Sequence, residues 1–152
     1  AIIIAIPAGL IIWTLANINI NNISLLKHIA NFLDPIANIF GMDGIILMAF
    51  ILGFPANEIV FPIILMGYMN KGSLLGYSNL TELKSLLINN GWTIKTAIVT
   101  LIFMLFHFPC STTILTIKKE TKSIFWTFMA FIIPTFIGLT LCFLINLLFK
   151  VF

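Results

Sequence analysis

The sequence predicts an all-α integral membrane protein with about four hydrophobic spans, two of them proline-interrupted, and one or two interfacial amphipathic helices. Three observations carry that fold class. Of 152 residues, 61% are hydrophobic and 9% charged, far from soluble-domain averages. The apolar residues fall in long blocks instead of one helical stripe, so whole segments are apolar on every side. The run Gly44–Met69 is long enough to cross a bilayer as a helix, yet it holds one carboxylate, Glu58, between Pro55 and Pro62. This composition excludes a soluble core, a nucleic-acid surface and a disulfide scaffold. Cys110 and Cys142 stand 32 positions apart in apolar surroundings, which is neither a metal-type pair nor a disulfide framework.

Span A is expected over residues 1–18, with Pro7 and Gly9 near its start. It opens inside an apolar helix, AIIIAIPAGLIIW, without the basic segment and small-residue cleavage site of a signal peptide, and so reads as part of a longer protein. Residues 22–40 differ in kind. Lys27, Asn31, Asp34 and Asn38 recur on one face, and Leu26, Ile29, Leu33, Ile36 and Phe40 on the other. This predicts an interfacial helix kinked at Pro35, or one packed against the rim of the bundle. Span B covers 43–69 and is entered through Gly41-Met42-Asp43-Gly44. A short surface helix follows over 78–90, opened by an Asn79/Glu82 capping box and stopped by Asn90-Gly91. Span C covers 93–117 and is interrupted at Pro109; the turn Lys118–Ser123 then leads to span D, 124–149, which contains Pro134 and Gly138. The lysines divide evenly between the two sides and leave orientation undecided.

Spans B and C carry the same interruption. Phe54-Pro55-Ala56-Asn57 and Phe108-Pro109-Cys110-Ser111 align at an offset of 54 residues. Proline removes a backbone donor and pushes the residue before it away from helical geometry. Asn57, Ser111 and Thr112 are helix-capping types, so a second half-helix begins beyond each proline. Irregular backbone at membrane depth survives only where protein buries it or a cavity runs past it, and paired broken helices point to a transport site. Gly53, Pro55, Ala56, Pro62, Pro109, Ser111, Thr112 and Thr113 are the candidate break and pathway residues. Glu58, Asn57, Cys110 and His107 are the candidate metal ligands. Carboxylate, imidazole and thiolate together suit a first-row divalent metal. Each has a structural reading beside it: a protonated Glu58 bonded to Asn57, a packed His107, an inert Cys110. No nucleophile–base pair is visible, and no enzymatic role is expected.

The texts MAFILGFPANEIVFPIILMGYM and HFPCSTTILTIKKETKS resemble the C-terminal membrane region of the FeoB family of ferrous iron transporters, the second Gate module and the helices after it. The resemblance implies one Gate-type membrane domain over 1–152, in a bacterial cytoplasmic membrane, crossing it several times. It implies Fe²⁺ as the transported ion, with no permanently bound cofactor. Its implied partners are membrane lipid, an N-terminal GTPase domain, a first Gate module and further copies of the chain, but no nucleic acid. GTP would bind only the N-terminal domain, because this chain carries no GxxxxGK[ST] loop. The rival expectations are a Gate module for nucleosides or other solutes, and a membrane scaffold without a pathway.

Overall fold

The computed structural model describes residues 2–20, 23–69 and 80–151. It is all-α apart from one small antiparallel hairpin. Helix α1 (Ile2–Asn17) runs into β1 (Asn19–Ile20) and β2 (Ile23–Ser24), which pair Ile20 with Ile23. Residue 1 of span A and residue 22 of the amphipathic segment lie outside the described residues.

Helix α2 (Leu25–Ile39) starts where the Ser24 side chain accepts the Lys27 N–H at 3.3 Å, an N-cap of the usual kind. It continues through Pro35. The large change of direction comes later, at residues 40–43, where α2 and α3 (Gly44–Leu52) stand at 106°. The buried stripe of α2 is Leu26, Ala30 and Ala37, whereas Ile36 and Phe32 are exposed. That narrow small-residue stripe lets α2 lie directly on α3: a Cβ on Gly44 would fall 1.9 Å from the Ala30 carbonyl oxygen.

Residues 43–69 do not run across as one broken rod. After α3 the chain turns through residues 53–56, makes a 3-10 turn at Asn57–Ile59, and returns as α4 (Val60–Met69). The two helices lie side by side and antiparallel. Tyr68 at the end of α4 donates its hydroxyl to Asp43 at the start of α3, and Gly67 sits against Ile45. This re-entrant hairpin corrects the expected through-going span B. Gly53 permits the close approach: it has no side chain, and a Cβ there would fall 2.3 Å from Val60 Cγ2. The returning helix therefore closes directly on the outgoing one. Phe50, Ile46, Met48, Val60, Ile63 and Ile64, all from this hairpin, are almost wholly buried and form the middle of the core.

Helix α5 (Leu80–Asn89) is short and largely exposed and stops at Asn90-Gly91, with the Trp92 N–H reaching back to the Leu87 carbonyl at 3.0 Å. Asn79, the first residue of the expected capping box, lies outside the described residues. Helix α6 (Ile94–Phe106) is capped by Thr93; α7 (Ser111–Thr121) follows after a four-residue break and runs one turn beyond the expected end. Helix α8 (Ile124–Val151) passes Pro134 unbroken. It buries only Gly138, Cys142 and Asn146, and presents apolar side chains outward, as lipid-facing helices do.

By length and composition, two stretches among the described residues suffice to cross a membrane: Ile94–Thr121 and Ile124–Val151, 28 residues each. The bent pair α2–α3 is a third only if counted as one span. The break in the first stretch falls near its middle, after the 13 residues of α6 and before the 11 of α7.

Candidate functional site at the hairpin tip and the broken helix

The tip of the α3–α4 hairpin and the break between α6 and α7 meet. Ser111, the first residue of α7, donates its backbone N–H to the Phe54 carbonyl at 2.9 Å and its hydroxyl to the Pro55 carbonyl at 3.2 Å. The repeated Phe-Pro steps face each other as well. The Phe54 and Phe108 rings lie 5.7 Å apart, and Phe131 of α8 stacks on Phe108 at 5.1 Å while meeting Phe54 edge-on at 6.2 Å. Such offset and edge contacts add about 0.5–1.5 kcal/mol each beyond area burial.

The two breaks are built differently. At the tip, the Ala56 N–H returns to the Gly53 carbonyl at 3.0 Å and the Ile59 N–H to the Ala56 carbonyl at 3.1 Å, while the Phe54 and Pro55 carbonyls are met by Ser111. Ala56 is extended, and Glu58 lies exposed in the 3-10 turn that follows. Pro62 sits in the first turn of α4, where a missing N–H is tolerated. At the other break, His107 and Cys110, which flank Phe108-Pro109, both have extended backbone (ψ 173° and 159°). Chain between them is stretched rather than turned.

His107 closes α6. Its N–H reaches the Phe103 carbonyl at 2.7 Å and its ring Nδ1 pairs with the Met104 carbonyl at 3.0 Å. The ring is 8% exposed, wedged between Phe50 at 5.1 Å and Phe108 at 5.2 Å, and its Nε2 has no hydrogen-bond partner among the described residues. Asn57 Oδ1 at the tip and Thr100 Oγ1 on α6 are buried and unpartnered in the same way. Buried polar atoms usually have a partner, and these three lie in the hairpin and the broken span. Cys110, half-buried, brings its Sγ within 3.0 Å of Thr112 Oγ1 and 3.1 Å of Thr113 Oγ1. The thiol and two hydroxyls form a small polar group at the first turn of α7, where helix amides favour negative charge.

Among the described residues no group of three or more His, Cys, Asp or Glu side chains gathers within metal-holding distance. Of the expected ligands Glu58, Cys110, Asn57 and His107, the three of these types, Glu58, Cys110 and His107, therefore do not form one such group. What the fold does bring together is Ser111 with Pro55, Cys110 with Thr112 and Thr113, and His107 with the phenylalanines. Phe50 and Phe131 escape sequence reasoning because nothing local distinguishes them from other apolar residues. Phe54 and Phe108 were within reach, since each opens one copy of the repeated motif.

A second polar region occupies the base of the hairpin. Asp43 caps α3 by accepting the Ile46 N–H at 2.8 Å and accepts a hydrogen bond from the Tyr68 hydroxyl on its other oxygen. Tyr68 in turn accepts the Trp92 indole N–H at 2.6 Å, and Asp34 accepts the Gly44 N–H at 2.6 Å. Asn146 of α8 donates to the Asn38 and Ile39 carbonyls that end α2, and receives Lys95 Nζ at 3.1 Å. Here polar groups cap helix ends and tie elements together.

Two helical stretches long and apolar enough to cross a membrane, packed with an apolar hairpin whose tip meets the break in one of them, define an all-α membrane protein. The chain belongs to the Gate family, described as nucleoside recognition, whose model matches residues 1–124. It is similar to the Fe(2+) transporter FeoB of Leptospira interrogans, serovars copenhageni and Lai, at 26% identity over 132 residues in each. That similarity covers 82% of this chain and 18% of each relative, so the chain spans under a fifth of the length of the curated proteins it matches. No solved structure matches it.

Proposed function

We propose that this chain forms part of the membrane permeation path of a ferrous iron uptake transporter, and that the path passes between the hairpin tip and the α6–α7 break. The observation that carries this reading is the pairing of the two interruptions through Ser111, with unpartnered buried Asn57 Oδ1 and His107 Nε2 in the same two segments. The similarity to transporters named for Fe(2+) supplies the ion. Cys110 with Thr112 and Thr113, His107, Asn57 and the exposed Glu58 would each offer one ligand along the way. Scattered single ligands suit a permeating ion, which must bind strongly enough to enter and weakly enough to leave. The α6–α7 and α8 stretches would cross a bacterial cytoplasmic membrane, with α1 as a further crossing and the hairpin dipping in and returning. An N-terminal GTPase domain and another Gate module would complete the transporter, and this chain would have no catalytic role of its own.

One observation favours a second reading. Phe50, Phe103 and Phe108 pack around the His107 ring, with Phe54 and Phe131 behind Phe108, and aromatic faces beside a hydrogen-bonding group suit a nucleobase, in keeping with the family's description. Uptake into proteoliposomes holding the intact transporter separates the two. The iron reading expects saturable uptake of radiolabelled Fe²⁺ that excess nucleoside leaves unchanged. Nucleoside uptake without iron uptake would replace it with the second reading, and neither would leave a membrane scaffold.

A further inference from the structure

Among the described residues, two hydrogen bonds join the hairpin tip to the broken helix, and Ser111 makes both. Ser111 is 8% exposed, while Cys110 beside it is half-buried. Its two acceptors are unusual: the Phe54 and Pro55 carbonyls lie past the end of α3 and outside its helical ladder. If Ser111 moves away, two carbonyl oxygens at the middle of the path are left open, and carbonyl oxygens at close quarters are what replaces the water shell of a cation.

We infer that Ser111 is the positioning residue of the path: it latches the hairpin tip to α7, and a passing cation competes with it for the Phe54 and Pro55 carbonyls. The inference deepens the permeation reading and rests on it for the identity of the competitor. Release of the latch lets the tip withdraw from α7 and opens the aqueous approach to Cys110. The Ser111→Ala change removes the side-chain bond and keeps the backbone bond; Ser111→Thr keeps both.

The test is the rate at which a small, permanently charged thiosulfonate modifies Cys110 in the intact transporter in proteoliposomes, read by mass spectrometry of the Cys110 peptide. Ser111→Ala is expected to react roughly two- to tenfold faster than wild type, the factor that one ordinary hydrogen bond corresponds to. Ser111→Thr is expected to stay within about twofold of wild type, since its hydroxyl restores the bond. Buried Cys142 should stay unmodified in all three. Equal rates in wild type and Ser111→Ala overturn the latch, and so does an equal acceleration by Ala and Thr, which would make the effect one of packing. Because the readout is chemical, the expected pattern in a protein that imports no iron upholds the latch and removes only the iron reading.

Discussion

At the base of the α3–α4 hairpin, Trp92, Tyr68 and Asp43 pass hydrogen bonds from one to the next, and Asp34 holds the Gly44 amide. At the tip of the same hairpin, one serine provides the polar tie to the broken helix, and aromatic rings supply the rest. Asn57 Oδ1 there, and His107 Nε2 and Thr100 Oγ1 on the facing helix, are buried without partners among the described residues. An unsatisfied buried polar group costs about 1–3 kcal/mol. The base is therefore knit by hydrogen bonds, whereas the tip and the helix facing it hold the buried polar atoms that lack a partner among the described residues. A fold tolerates such a cost where function needs it, and sites of this kind are expected where local consistency fails.

This contrast can be broken from either side. The largest effect is expected at the base from Gly44→Ala. The new Cβ would lie 1.9 Å from the Ala30 carbonyl oxygen and 2.8 Å from its carbon, both backbone atoms that cannot step aside. Thermal unfolding in detergent should show a loss of about 3 kcal/mol or more, or no folded protein. Next comes Tyr68→Phe, which strips Asp43 of its donor and the Trp92 indole of its acceptor. A loss of about 2 kcal/mol is expected, and unchanged stability would show that the chain of bonds at the base contributes nothing. The smallest effect has the opposite sign. Thr100→Val replaces a buried, unpartnered hydroxyl with a methyl of similar shape and should raise stability by about 1 kcal/mol. A drop instead would mean that Thr100 has a partner such as water.

Much of this arrangement was legible in the sequence. The Phe-Pro steps followed by Asn57 or by Ser111 and Thr112 marked both interruptions, because a chain broken by proline needs capping groups to restart. Pro134 is also followed by a capping type, but Thr135 returns its hydroxyl to the Phe131 carbonyl at 2.6 Å and α8 continues, which the sequence alone does not distinguish. The Asn90-Gly91 stop was equally local. The reversal of residues 43–69 was not legible, since it depends on Gly53 meeting Val60 and Tyr68 meeting Asp43 across the turn. A hydropathy run says how long an apolar segment is, not whether it goes through or comes back. The change of direction between α2 and α3 falls at Gly41-Met42-Asp43, where the sequence separates the amphipathic segment from the apolar run, and α2 continues through Pro35. At the site, residue types pointed to the tip and the break, but only the fold pairs Ser111 with Pro55 and sets His107 among phenylalanines.

The most direct test of a cation path at the tip is Fe²⁺ uptake by the intact transporter carrying Glu58→Gln and Cys110→Ser together, with its unfolding midpoint measured on the same preparation. Both side chains are at least partly exposed, so stability should stay within about 0.5 kcal/mol of wild type. Uptake should fall by about tenfold or more, as expected when two ligands of roughly 1 kcal/mol each are lost from the path. Uptake equal to wild type in a folded protein would contradict the account.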